Sequence, residues 1–113
     1  MTHSVVVQFY DFAGKFWTGD QRSLEPLFAL EHELTAALDG TGVGELDGNE
    51  IAVDGSDGFL FLYGPDADAL FALIEPILRK SPVMAEADAT LRYGEPGEAD
   101  LKQKVVRIDQ TTH

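Results

Sequence analysis

The sequence predicts an α+β sandwich in which two helices cover one face of a mainly antiparallel sheet. Segments with strand and helix patterns follow one another in the order β-α-β-β-α-β, with one further strand near the C-terminus. Both helical segments carry apolar residues at helical spacing, and a glycine-rich turn joins the two middle strands. At 113 residues the chain is long enough to bury a core, so we expect one domain over residues 1–113, with a short tail at 109–113.

The first strand is predicted at SVVVQFYDF, residues 4–12, because β-branched and aromatic residues dominate there. A loop, AGKFWTGDQR, separates it from a helix predicted over residues 24–40, with Ser23 as its N-cap and Gly40 at its end. Alternation along the strand divides its side chains between two faces. One face carries Val5, Val7 and Phe9, and the other carries Val6, Gln8, Tyr10 and Phe12.

The middle of the chain predicts a hairpin followed by a second helix. The strand GELDGNEIAV has an expected bulge or kink at Asp47, and the turn DGSDG leads from it into FLFLY. Pro65 and the acidic residues after it are typical of a first helical turn. The strands ATLRYG and KQKVVRID complete the chain. Two β-α-β crossovers that share a central hairpin build a ferredoxin-like sandwich, here with an extra C-terminal strand.

The open face of such a sheet is predicted to be apolar. In FLFLY, alternation places Phe59, Phe61 and Tyr63 on one face and Leu60 and Leu62 on the other, so large apolar groups face outward in either register. Contiguous apolar patches of this kind usually mark an interface, and a second copy of the chain is the simplest occupant. We therefore expect a homodimer. The alternative is that the C-terminal strand or the FWT loop folds over the patch.

The charge is strongly acidic and unevenly distributed. Residues 1–78 hold fourteen acidic residues against Lys15 and Arg22, whereas residues 79–113 hold six of each sign, so the net charge of −12 belongs to the first part. This field disfavours nucleic acid and anionic membranes as partners, and it either attracts a basic protein partner or serves solubility alone. The N-terminal residues do not resemble a signal peptide, and no apolar run approaches a bilayer span. A cytoplasmic location is expected.

Metal chemistry has little support in the sequence. There is no cysteine, the acidic stretch does not match the ligand spacing of an EF-hand, and GVGELDG does not open a helix as phosphate loops do. Glu45 and Asp47, with Asn49, would share a strand face only in the absence of a bulge, which makes them a weak divalent-cation candidate. The alternative is the solvated side of an edge strand. His3, His32 and His113 form no metal-ligand pair, and no serine lies in a nucleophile-elbow context, so we expect no cofactor and no catalytic residue.

The first strand–helix loop is the best candidate for a small-molecule site. It brings together an acid, two cations and aromatic surface at the end of a strand, where binding groups tend to lie. The candidate ligand-binding residues are Tyr10, Asp11, Lys15, Trp17 and Arg22. The alternative is that the aromatic residues of this loop cap the core or join the dimer interface.

The runs ELDGNE, FLYGPDADALFALIEPILR and LRYGEPG resemble a family of small bacterial proteins for which no activity is established. The resemblance covers about residues 44–97 and depends most on YGPDADALF. It implies a bacterial, cytoplasmic, ferredoxin-like domain and transfers no catalytic residue. The leading hypothesis is a non-catalytic interaction or regulatory module that dimerises through its open sheet face. The alternative is a small cofactor-free enzyme or ligand-binding protein, with a pocket near the first loop or at the dimer seam.

Overall fold

The computed structural model describes residues 2–95 and 97–109 and confirms an α+β chain. Its strands are β1 His3–Tyr10, β2 Glu45–Ile51, β3 Asp57–Gly64, β4 Glu86–Arg92 and β5 Gln103–Asp109. Its helices are α1 Phe12–Phe16, α2 Glu25–Leu38 and α3 Ala67–Lys80, and a short 3-10 helix, Pro82–Met84, follows α3. Within the described residues, no helix is long and apolar enough to cross a membrane.

The five strands form one antiparallel sheet in the order β2-β3-β1-β4-β5. The central strand β1 pairs with both β3 and β4, so the N-terminal strand lies between the β2–β3 pair and the β4–β5 pair. This arrangement is compatible with a ferredoxin-like α+β fold. The expected bulge in β2 is confirmed, since the β2–β3 register shifts between Leu46 and Gly48.

The core lies between the sheet and the two long helices. In β1 and β3, residues with little or no exposed surface alternate with half-buried ones, and the buried set faces α2 and α3. That set includes Val5, Val7, Phe9, Leu60 and Leu62 from the strands and Leu27, Leu34, Leu70 and Ile74 from the helices. The residues on the other face of β1 and β3, such as Val6, Phe59 and Phe61, are half-buried, and this face is the open face of the sheet.

Several local expectations were wrong. The predicted loop after β1 contains the helix α1, and Phe12 is fully buried instead of lying on the face of Tyr10. Helix α2 takes Leu24 as its N-cap, although the Ser23 hydroxyl still accepts a hydrogen bond from the amide of Glu25 at 3.2 Å. In the predicted tail, Asp109 is the last residue of β5, and residues 110–113, including His113, lie outside the described part of the chain.

Candidate functional site

The open sheet face has an apolar centre. Phe59 and Phe61 stack on each other with ring centroids 6.0 Å apart, and Tyr63 continues the same row along β3. Val6 pairs with Phe61 across the β1–β3 ladder, and Val105, 61 % exposed, lies on the same face of β5. The structure therefore places the three predicted interface residues together, pointing away from the helices.

The two edges of this face differ in charge. Glu45 and Glu50 are exposed on β2 and pair with Tyr63 and Phe59, which fixes both carboxylates on the open face. Arg92 and Arg107 lie on the same face of β4 and β5. Glu86 and Asp88 lie on this face as well, so the face has an acidic edge on β2 and, across the width of the sheet, a side on β4 and β5 with two arginines and two acids.

A groove of about 330 Å³ crosses the face between these edges. It is lined by Ser4, Val6, Glu50, Phe59, Phe61, Tyr63 and Arg92. The Nε atom of Arg92 is buried and has no hydrogen-bond partner among the described residues. Ser4 retains only 3 % of its surface, which makes it a buried polar side chain at the groove. An unpaired guanidinium N–H in a partly apolar groove is costly unless an acceptor reaches it.

A larger concavity, about 400 Å³, lies at the end of β3 beside the start of β2. Its walls are mainly backbone, from Gly42, Gly44 and Gly64, and Glu45 is its single charged lining residue. It offers few converging side chains, so we place the candidate site in the groove of the open face.

A hydrogen-bonded chain of three side chains lies beside the groove. The hydroxyl of Tyr10 donates to Oδ2 of Asp88 at 2.6 Å, and Nη1 of Arg107 donates to Oδ1 of the same carboxylate at 3.2 Å. The bond from Tyr10 is the main cause that lowers the pKa of Asp88, and the bond to Asp88 is the main cause that raises the pKa of Tyr10. These two hydrogen bonds neutralise Asp88 and hold the Arg107 side chain in place.

Replacing Tyr10 by phenylalanine is expected to cost about 1 kcal/mol near neutral pH, the usual net value of a partly exposed hydrogen bond. The depressed pKa of Asp88 contributes stability that is present above its unfolded value and is lost as the pH falls through the folded value. The raised pKa of Tyr10 contributes stability that is lost as the pH rises through its folded value. The difference between wild type and Y10F should therefore shrink in acid and in strong base. Urea unfolding across pH measures it, and a constant difference contradicts the assignment.

The five candidate residues of the first loop do not converge on one pocket. Tyr10 points to Asp88 on the open face, whereas Nζ of Lys15 donates to the Tyr10 carbonyl at 2.9 Å. The groove is lined by none of the five. Asp11 is exposed with a left-handed φ of 52° at the start of α1.

Trp17 instead has a structural environment. Its ring packs against the core, its Nε1 donates to the Ser23 carbonyl at 3.0 Å, and the Arg22 guanidinium lies 5.8 Å from the ring centre. These contacts support the alternative that the loop aromatics cap the core.

The weak metal candidate loses its geometric basis at the β2 bulge. Glu45 faces the open side opposite Tyr63, whereas Asn49 donates to Oε1 of Glu31 on α2 at 2.9 Å, and Asp47 lies at the register shift. Within residues 2–95 and 97–109, no three His, Cys, Asp or Glu residues come close enough to hold an ion.

The histidines have separate positions. Nδ1 of His3 accepts the amide N–H of Ala67 at 3.0 Å, at the start of α3, and His32 is exposed on α2.

The stretch YGPDADALF is explained by structural roles. Oδ1 of Asp66 accepts the amides of Asp68 and Ala69 at 2.9 and 3.3 Å, which caps α3. Leu70 and Phe71 enter the core. The Tyr93 hydroxyl donates to Asp68 at 2.7 Å and links the helix to the end of β4. These residues therefore begin α3, pack it into the core and join it to the end of β4.

Arg92 and Ser4 were missed by reasoning from the sequence. A signal was available, because Asp88, Thr90 and Arg92 alternate with the buried Ala87, Ala89 and Leu91 and so define a polar face of β4.

Comparisons with protein-family models, with curated proteins and with solved structures return no match to this chain. The site must therefore be interpreted from its own geometry.

Proposed function

We propose that the protein is a non-catalytic interaction module that dimerises face to face through its open sheet. The observation that carries the proposal is the combination, on one exposed face, of an apolar centre with an acidic β2 edge and an opposite side that carries two arginines. A surface of this kind can pair with its own copy, because a two-fold rotation brings each edge over the other.

The charge pattern selects one orientation of the two-fold axis. With the axis parallel to β1 and above it, β1 lies over its copy, β3 over β4 of the partner, and β2 over β5 of the partner. Glu50 then faces Arg107 of the partner subunit, because both belong to the same cross-sheet row as Phe59, Gln8 and Asp88. An axis perpendicular to the strands would instead place the acidic edge over itself, which like-charge repulsion disfavours.

The face is large enough for this purpose. Strands spaced by about 4.8 Å, each of seven or eight residues, make a five-stranded face roughly 20 Å by 24 Å. Its projected area is about 480 Å², more than half of the roughly 800 Å² that each partner buries in a standard interface. Two such sheets are expected to pack about 10 Å apart with their strands within about 30°.

A charge-removal cycle tests the orientation. In E50Q and in R107Q the dimer dissociation constant is expected to rise several-fold to about tenfold, because each exposed pair contributes up to about 1 kcal/mol and occurs twice in the dimer. The double variant should be little weaker than either single variant, which is the signature of coupling. Sedimentation equilibrium measures the constants, with E33Q on the helix layer as a matched control. Additive effects of E50Q and R107Q would contradict this axis.

The strand order also supports our assignment of the chain as a ferredoxin-like βαββαβ sandwich with an added fifth strand. Membership of the bacterial family with the YGPDADALF motif is proposed from the sequence resemblance alone. The acidic helix layer would remain exposed in the dimer, so a basic protein is the partner that we propose for the assembled module. A second candidate function, the binding of a small ligand, is favoured by the groove with its unpaired arginine.

A further inference from the structure

We propose that the groove of the open face binds a small organic monocarboxylate with a flat apolar body. The carboxylate lies at Arg92, and the body lies against Phe59 and Phe61. All seven lining residues come from one chain, so this inference develops the ligand-binding candidate and does not rest on the dimer.

The first argument is the state of Arg92. Its Nε–H is removed from solvent and has no acceptor among the described residues, although the protein carries a net charge of −12. The ion pairs found in the described part of the chain involve Arg79 and Arg107. A guanidinium presents its N–H groups as a planar fork that matches the two oxygens of a carboxylate. A ligand with this group supplies the acceptor that the fold does not.

The second argument is the row of polar groups around Arg92. Ser4 pairs with Arg92 on one side and with Tyr63 on the other, and all three line the groove. Neighbouring side chains across a sheet start about 5 Å apart, so the Ser4 side chain starts between those of Arg92 and Tyr63. Ser4 is a buried residue, 3 % exposed, that lines the same groove, and its hydroxyl can act as a second donor there.

The third argument concerns the rest of the ligand. Phe59, Phe61 and Val6 form a continuous apolar surface next to this polar row, which suits an aromatic or aliphatic body. Glu50 lines the groove at the acidic edge, and its charge opposes a second negative group on the ligand. The groove therefore favours a monocarboxylate over a dicarboxylate or a phosphate ester.

The test uses phenylacetate as the probe and phenylacetamide as its neutral counterpart of nearly the same shape. The full-length protein is labelled with ¹⁵N, and the Nε–Hε signal of Arg92 is followed during titration. We expect a saturable shift of that signal with phenylacetate and a much weaker response to phenylacetamide. R92Q should weaken phenylacetate binding about tenfold or more, since it removes a charge-assisted pair of hydrogen bonds. R92K keeps the positive charge but lacks the planar guanidinium, so its affinity for phenylacetate should lie between those of the wild type and R92Q.

The control is R107Q, which removes an arginine from the same face but outside the groove and should leave binding intact. The proposal is overturned if the Arg92 Nε–Hε signal does not move, if phenylacetamide binds as well as phenylacetate, or if R107Q weakens binding as much as R92Q. It is also overturned if the Nε–Hε group of Arg92 is hydrogen-bonded in the ligand-free dimer and loses that bond on dilution. In that case a group of the partner subunit fills the groove. If R92Q does not fold, S4A provides the second variant, and the wild-type signal remains a direct readout.

The same samples separate this inference from the dimer. Their mass is measured by light scattering before and after the titration. The ligand body and a second copy would both cover Phe59 and Phe61, so phenylacetate is expected to shift a dimer towards the monomer. A protein that is monomeric before the titration and binds phenylacetate contradicts the dimer alone, and protein diluted to the monomer that does not bind it contradicts the carboxylate site alone.

Discussion

Substitution of Phe61 by glutamate is expected to convert the dimer into a folded monomer. Phe61 lies at the centre of the open face, between Gly48 on β2 and Val6 on β1, and points away from the helix layer. A carboxylate there has no cation in its own cross-sheet row, which runs through Gly48, Val6, Thr90 and Val105. Burying an unpaired charge costs several kcal/mol, and a two-fold dimer incurs this cost twice. The dissociation constant should rise about a thousandfold or more.

The chain offers a matched control in Phe28. This phenylalanine is 49 % exposed on α2, in the helix layer, so F28E makes the same chemical change on the opposite side of the molecule. Light scattering after size exclusion gives the mass, and circular dichroism shows whether each variant is folded. A dimeric F61E variant would refute the face-to-face arrangement. Loss of the dimer in F28E alone would place the interface on the helix layer.

The open face was largely predictable because alternation is a strict rule in regular strands. FLFLY is apolar at every position, so one of its two faces had to be apolar and outward, whichever register the sheet adopted. The structure places Leu60 and Leu62 in the core and leaves Phe59 and Phe61 outside. The same reasoning divided the side chains of β1 between two faces without deciding which is buried, and the structure buries Val5 and Val7 and leaves Val6 half-buried.

The wrong predictions concern segments in which the regular alternation of a strand stops. At the β2 bulge one extra residue reverses the alternation, so Glu45 and Asn49 diverge to opposite sides of the edge strand. Phe12 was assigned by continuing the strand period, although the chain had already turned into α1 with Asp11 at a left-handed φ. Proximity in sequence also did not imply a shared site, since Tyr10 and Trp17 face opposite sides of the sheet.

Arg92 was not recognised because its importance depends on partners from distant strands. Its neighbours in the groove come from β1, β2 and β3, and only the strand order brings them together. The absence of an acceptor for its Nε–H is likewise a property of the folded environment. Alternation in the sequence predicts which sheet face a side chain occupies, whereas its hydrogen-bond partners depend on residues that only the fold brings near.

The second large effect is expected at Gly64, which stands between Tyr63 and Pro65 in the YGPDADALF motif. A Cβ atom there would press on the carbonyl oxygen of Val43 and lie 3.0 Å from Cα of Gly44. Both are backbone atoms of the segment that enters β2, so neither can move aside without displacing the edge strand. Overpacking of this kind costs about 1–3 kcal/mol, and we expect G64A to be destabilised by an amount near the upper end of that range.

Gly48 provides the comparison for this prediction, because a Cβ atom there meets nothing within 4 Å. Both glycines belong to the β2–β3 hairpin, so general effects of replacing glycine in a strand are shared by the two variants. The unfolding free energies should be measured with urea in the F61E background, where the concentration of protomers does not contribute to the stability. We expect G48A to remain near the parent and G64A to fall clearly below it. Equal stability of the two variants would mean that close packing of Val43 against the end of β3 does not constrain this motif, and that its glycine must be explained by ligand or partner contacts.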